Sequence, residues 1–308
     1  MSQQIISYKK ALPPKTVVLD FDKSVGELPG ACMLDLSDWQ ESIRFGTGWK
    51  NFWRLKTLLS AQLPVQHGTV FTGSGDYHHI SYLLIERLAQ RLPAGQCFQV
   101  VLFDNHPDNM RFPFGIHCGS WVKYVALLPQ VSHVYVLGIT SQDIGAAHAF
   151  ENYWQPLRAG KLSYWCMDVD VGWSRYAGLS RAFHRFTNPD ALIDAFLAEQ
   201  DKAVSNRLPT YLSIDKDVIS PEIVHTNWDQ GRMLEKHLLR VIEALHGQII
   251  GSDITGEVSV WQYRTWWKRL LSAMDGQANI SAAQVNQWQQ QQFVLNKRLL
   301  AAIEKSRA

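Results

Sequence analysis

Two short stretches of this chain concentrate side chains suited to binding cations. Asp104-Asn105-His106-Pro107-Asp108 places three potential ligands at alternate positions within five residues. Ser213-Ile214-Asp215-Lys216-Asp217 adds two further carboxylates at the same spacing. In an extended segment alternate side chains share one face, so each set can point in one direction. Either stretch alone could be a polar turn after a strand. Together they would bring four carboxylates into one crevice, where uncompensated anions repel and lose hydration. One cation eases that conflict, and two ease it better. Carboxylate oxygens with one or two imidazoles favour Mn²⁺ among common biological metals, with Fe²⁺, Co²⁺ or Zn²⁺ as alternatives. Cysteine is missing from the candidates, which argues against a structural zinc site. Two divalent ions, Mn²⁺ first, are the expected cofactors.

A third piece is the glycine-rich run Gly73-Ser74-Gly75-Asp76-Tyr77-His78-His79-Ile80-Ser81. Glycines allow a tight turn between a strand and a helix, and either histidine could reach a crevice from the helix start. A phosphate-cradling loop would need a GK[ST] ending or a GxGxxG pattern, and neither is present.

These pieces need a scaffold that gathers strand ends. Apolar runs at 16–19, 68–71, 99–103, 133–137, 162–167, 210–214 and 248–252 read as strands. Segments 81–92, 190–200 and 233–246 space apolar residues by three and four, as amphipathic helices do. This alternation predicts an α/β fold of three layers, α/β/α, around a central and mainly parallel sheet. In such a sheet, side chains at the carboxyl ends of strands meet in one crevice. Asp104, Asp215 and Asp253 all follow apolar runs directly. No linker divides the chain, so residues 1–308 read as one domain, with a polar-faced terminal helix over 281–308.

Composition bounds the function. Over 308 residues, hydrophobic residues make up 46% and charged residues 19%, ordinary values for a globular enzyme. A net charge of +2, without basic runs, gives no reason to expect nucleic acid. The start, MSQQIISYKK, has no apolar signal-peptide core, and no apolar run reaches the roughly 18–20 residues of a membrane helix. Four scattered cysteines imply free thiols and a cytoplasmic location. The aromatic runs at 49–53 and 259–267 read as packing or subunit contacts.

The ordered set resembles the ureohydrolases: arginase, agmatinase, formimidoylglutamase and their relatives. The resemblance spans about residues 68–262, matching the family patterns GGDHS, DAHxD and SxDxDxxDP at 75–79, 104–108 and 213–221. Weaker echoes lie at 137–143, 163–172 and 251–258. It implies that Asp104 and Asp215 bridge two metals. His78 and Asp108 would complete one shell, and His106 and Asp217 the other. His117 would be the proton shuttle at the site mouth, and Glu257 would hold an amidine or guanidinium group. Several positions depart from the pattern. Residues 75–79 read GDYHH, so His78 is preferred to Tyr77 and His79 from the register of the following helix. Asn105 replaces alanine, Ser220 replaces aspartate, and the segment ending at Glu257 carries an extra residue. These mark a divergent branch.

The expected reaction is hydrolysis of a C–N bond in a guanidino or formimino compound. A hydroxide shared between two metals would be the nucleophile, oriented by Asp108, with His117 protonating the departing amine. The expected partners are a small-molecule substrate and further copies of the chain in a homo-oligomer, without nucleic acid or membrane. Two alternatives are a metal-dependent deacetylase-like amidohydrolase and a non-catalytic metal-binding relative. Other signals carry less. Asp20-Phe21-Asp22-Lys23-Ser24 is similar to the nucleophile motif of haloacid-dehalogenase-type phosphatases, but has Ser24 where Thr or Val belongs. Asp168 and Asp170 read as a capped strand end.

Overall fold

The structure is a computed structural model that describes residues 15–202, 208–274 and 280–307. Its strands are β1 (Val17–Asp20), β2 (Cys32–Asp35), β3 (Gly46–Thr47), β4 (Val70–Ser74), β5 (Phe98–Phe103), β6 (Ile116–His117), β7 (Val131–Ile139), β8 (Leu162–Met167), β9 (Phe183–Phe186), β10 (Thr210–Asp215) and β11 (Ile249–Glu257). Its helices are α1 (Gln40–Ile43), α2 (Trp49–Gln62), α3 (Ile80–Ala89), α4 (Val122–Ala126), α5 (Trp154–Arg158), α6 (Pro189–Lys202), α7 (Glu235–Ala244), α8 (Trp266–Met274) and α9 (Ala282–Arg307).

Nine strands form one sheet in the order β2-β1-β4-β11-β10-β5-β7-β8-β9, and every pairing is parallel. Central strands such as β5, with sequence FQVVLF, are buried along their whole length. Both of their faces are covered, which is why they read as unbroken apolar runs rather than alternating ones. On one face the sheet packs against Phe52, Leu55 and Leu59 of α2, Leu83 and Leu84 of α3, and Val122 of α4. On the other it meets Phe196 of α6, Val241 of α7 and Leu295, Leu299 and Ile303 of α9. The result is the three-layer α/β/α arrangement that the alternation implies.

All seven expected strands are present, and four others were not foreseen. β2 and β9 sit at the two sheet edges, where half-exposed sequences (CMLD, FHRF) lack an apolar run. β3 and β6 form a separate antiparallel pair of two residues each. The aromatic run at 49–53 begins α2, and Phe52 packs edge-on to Trp49 with centroids 5.9 Å apart. α9 occupies the terminal segment, and residue 308 lies outside the described residues. Gln292 and Asn296 are fully buried, with the Gln292 side chain bonded to Val258 N and Gly256 O at the end of β11.

Candidate metal centre

The carboxyl ends of β4, β10 and β5 lie within four neighbouring positions of the sheet, and each delivers part of one cluster. Beyond β4, a short turn over 75–77 leads into α3 and aims His78 inward. Its Nδ1 lies 2.9 Å from Asp108 Oδ2, 3.2 Å from Asp104 Oδ2 and 3.4 Å from Asp215 Oδ2. His106 Nδ1 lies 2.9 Å from Asp217 Oδ2 and 3.6 Å from Asp104 Oδ1. Two overlapping sets result, His78-Asp104-Asp215 and Asp104-His106-Asp217, each with one ligand atom per residue within 4.8 Å of the others. Asp104 belongs to both. Tyr77 instead stacks on Phe21 at 4.6 Å, and His79 turns toward Phe52 at 5.9 Å.

Local backbone chemistry holds this geometry. Asp104 Oδ1 accepts the His106 N–H (2.7 Å), and Asp215 Oδ1 accepts the Asp217 N–H (3.1 Å), so each motif closes on itself. Asp108 sits at φ +44°, a left-handed position that Asp tolerates better than most residues. Gly256, at φ +93°, could carry no side chain, because a Cβ there would fall 2.5 Å from Asp215 Oδ1. The β11–β4 pairing is irregular at this point, as strands often are beside active sites.

The electrostatics are those of an anionic site short of positive charge. Burial, then the charge of Asp104, pushes Asp108 up to about 7. Burial and Asp104 likewise lift Asp217 to about 6, and burial with Asp217 raises Asp215 well above the carboxylate range. Asp104 moves the other way, to about 2: burial opposes its charge, but hydrogen bonds with His106 and His78 outweigh it. Both histidines are held well above their ordinary range despite burial, His78 by Asp104 and Asp108, His106 chiefly by Asp217. Protons on the histidines and on raised carboxyls thus stand where cations fit. Asp104, the residue common to both sets, is buried, with Oδ2 toward His78 and Oδ1 toward His106. Hard oxygen donors with two imidazoles suit divalent metals such as Mn²⁺, so the residues present fit the expected ions.

His117 lies apart from the ligands. Its Nδ1 accepts the Gly119 N–H at 3.0 Å, which leaves Nε2 to carry the proton, and burial pushes it down to about 4. It belongs to a run of rings leading away from His106: Trp228 at 6.1 Å from His106, Phe45 at 6.2 Å from Trp228, His117 at 6.1 Å from Phe45 and Phe112 at 4.6 Å from His117. Glu257 is buried at the end of β11, and its Oε2 has no hydrogen bond among the described residues. Its Oε1 is taken by the Lys216 ammonium and by Asn296 Nδ2 (2.7 Å), between the end of β10 and α9. The β11–β4 pairing shifts register between Thr255 and Glu257, just before this side chain. Asp253, the other carboxylate on β11, accepts from Ser213 Oγ (2.7 Å) and Ser81 Oγ (2.9 Å).

No family model matches the chain. An uncharacterized protein of Thermotoga maritima is 26% identical over 261 residues, which cover 83% of this chain and 84% of that one. Three solved structures superimpose over most of the length. Proclavaminate amidino hydrolase from Streptomyces clavuligerus gives a TM-score of 0.53 at 14% identity, covering 95% of this chain and 92% of that one. Formimidoylglutamase from Bacillus subtilis gives 0.52 at 14% identity, covering 94% and 86%. Agmatine ureohydrolase of Thermoplasma volcanium gives 0.50 at 15% identity, covering 96% and 90%. The chain has the ureohydrolase fold.

Within this ureohydrolase fold, three residues near the site escaped sequence reasoning. Asp229 accepts from His106 Nε2 (2.7 Å) and from Asn105 Nδ2 (3.1 Å), so it orients the imidazole with Nδ1 toward the carboxylates. Carboxylates commonly set histidine ligands in this way. It sits in an irregular loop with no spacing signal, although Asn105, which stands where the ureohydrolase pattern has alanine, is its partner. Trp121 donates Nε1 to Asp108 Oδ2 at 2.6 Å. Arg44, 1% exposed, bonds Asp76 Oδ2 at 2.6 Å and fixes the turn that carries His78. The Asp20–Ser24 motif is absorbed by the same network, since Asp22 lies 3.5 Å from Arg44. No helix among the described residues is long and apolar enough to cross a membrane.

Proposed function

We propose that this chain is a two-metal hydrolase that cleaves a C–N bond in a guanidino or formimino compound. The observation that carries the reading is the pair of ligand sets sharing Asp104. His78, Asp104, Asp108 and Asp215 would hold one ion, and Asp104, His106, Asp215 and Asp217 the other. Divalent ions there, Mn²⁺ first, would lower the pKa of water and supply a nucleophile at neutral pH.

The chain's own residues do the rest. Asp108, fixed by Trp121, orients the attacking water and takes part in moving its proton. Asp229 and Asn105 keep His106 in register. Trp228 and Phe45 wall the approach with aromatic faces, which shield the reacting centre from water and favour a flat cation. His117, neutral with its proton on Nε2, offers that N–H on the wall as a hydrogen-bond donor to the leaving group, and the proton taken up by the departing amine comes from the attacking water by way of Asp108. Glu257, already neutralised by Lys216, braces β10 rather than meeting the substrate, so recognition of a cationic group falls to Asp229 and the Trp228 face. The same proposal includes a single 1–308 unit, self-assembly into a homo-oligomer and a cytoplasmic location.

The test is to load the protein with Mn²⁺ and screen guanidino and formimino compounds for release of urea, ammonia or formamide. Turnover that disappears in Asp104→Asn is the expected result. If no such compound is hydrolysed while acylated amines are, the deacylase reading replaces this one.

A further inference from the structure

The opposite end of the sheet holds a second concentration of charge, of opposite sign. A cavity of about 780 Å³ opens at the amino ends of β1, β10 and β11, beside the final turns of α3 and α9. Lys15, His67, Arg87, Arg91 and Arg307 line it, and Glu304 is the one acid among its described lining residues. Leu88 and Ile250 give it an apolar wall.

Part of this charge has a structural use. Cations near helix carboxyl ends are favoured by the helix dipole. Arg87 Nη2 bonds Leu63 O at 2.9 Å, Arg91 Nη1 bonds Val65 O, and Arg307 Nη2 bonds Ser252 Oγ at 2.8 Å. These contacts leave donors over. Arg87 Nη1 and Arg307 Nε are both buried without an acceptor among the described residues. Buried donors in native proteins are nearly always satisfied, so each of these calls for a partner. The cations also crowd one another: burial, and then the charges of Arg87, Arg307 and Arg91, depresses His67. The situation mirrors the carboxylate cluster at the other end, and an ion of opposite charge resolves it in the same way.

We infer that this cavity binds a small organic oxyanion that carries phosphate or carboxylate groups against the arginines and an apolar body against Leu88 and Ile250. Planar guanidinium groups match both oxyanions with paired hydrogen bonds. The volume lies within the range of about 300–1,000 Å³ common for small-molecule sites. Tyr211, which also lines the cavity, stands on the strand that carries Asp215 at its other end. The inference is independent of the reaction at the metal centre.

Titration calorimetry with two probes, ADP for phosphate and citrate for carboxylate, tests it on the intact protein. At least one should bind, and Arg307→Gln should weaken it by roughly tenfold or more, as expected for losing a charged hydrogen bond. Arg91→Gln, at the exposed rim, should weaken it several-fold and serves if Arg307→Gln fails to fold. Binding of ADP alone, citrate alone or both supports the site and identifies its chemistry. Binding of neither overturns it, as does binding that both arginine substitutions leave unchanged. A probe released by Asp104→Asn instead is held at the metal centre and equally overturns the inference.

Discussion

Two buried charged regions lie a few residues apart on either side of the His78 turn, and they are built on opposite principles. Around Arg44, the guanidinium meets Asp76 and Asp22, and Ser259 Oγ accepts from Nη1 at 2.7 Å and donates to Asp22 at 2.6 Å. One guanidinium there serves both carboxylates, directly and through Ser259, and it is held more firmly protonated by Asp76 despite its burial. Around Asp104, four carboxylates converge on two imidazoles, and three of those carboxyls are pushed upward in pKa. The first region is complete without a ligand and works as a brace. The second is balanced only by protons, and divalent ions are the natural replacement. Charges tied to fixed partners, rather than to exchangeable protons, separate the brace from the binding site.

The contrast is sharpest when one charge is removed from each region. Arg44→Met should cost about 3–5 kcal/mol, since it leaves Asp22 and Asp76 buried without their cation. Denaturant unfolding measures this, and a loss below about 1 kcal/mol would mean that the brace does little. Asp108→Asn should behave in the opposite way in metal-free protein. The carboxyl stands at about 7, against about 3.9 for an exposed aspartate. A raised folded pKa withdraws stability as pH climbs through that window, from about 4 to about 7. Asparagine removes the titration and tolerates the φ of +44°. The variant should match wild type near pH 4 and exceed it by on the order of 1–2 kcal/mol near pH 8. With Mn²⁺ present the order should reverse, because an amide is the poorer ligand. A variant less stable than wild type at both pH values would place Asp108 with the braces.

Much of the second region was legible in the sequence, and little of the first. Asp104–Asp108 and Asp215–Asp217 announce themselves because alternation and a preceding apolar run are local signals. His78 could be separated from Tyr77 and His79 only through the register of α3. Arg44 gave no signal, since its partners lie 22 positions before and 32 after it in the chain, and only the fold brings them together. Glu257 is the converse case. Its place in a motif suggested a ligand-facing carboxylate, but Lys216 and Asn296 claim it, and no local pattern in residues 251–258 reveals a partner on α9. Strands β2 and β9 were missed because edge strands need no apolar run. Asp229 was missed because its loop has no period.

Asp229 offers a finer test of the same contrast, as a residue that orients a metal ligand without being one. Asp229→Ala should weaken metal binding by roughly tenfold, the lower end of what removing such an orienting partner costs. A chelator competition titration reads this directly. An unchanged affinity would make the Asp229–His106 contact incidental.

The carboxylate cluster is proposed to be a two-metal centre. The most direct measurement is the metal content of protein loaded with excess Mn²⁺ and freed of unbound ion, for wild type and for Asp217→Ala. About two ions per chain are expected in wild type and about one in the variant, since Asp217 belongs to only one of the two ligand sets. Wild-type protein that retains no metal, or a single ion indifferent to Asp217→Ala, would contradict it.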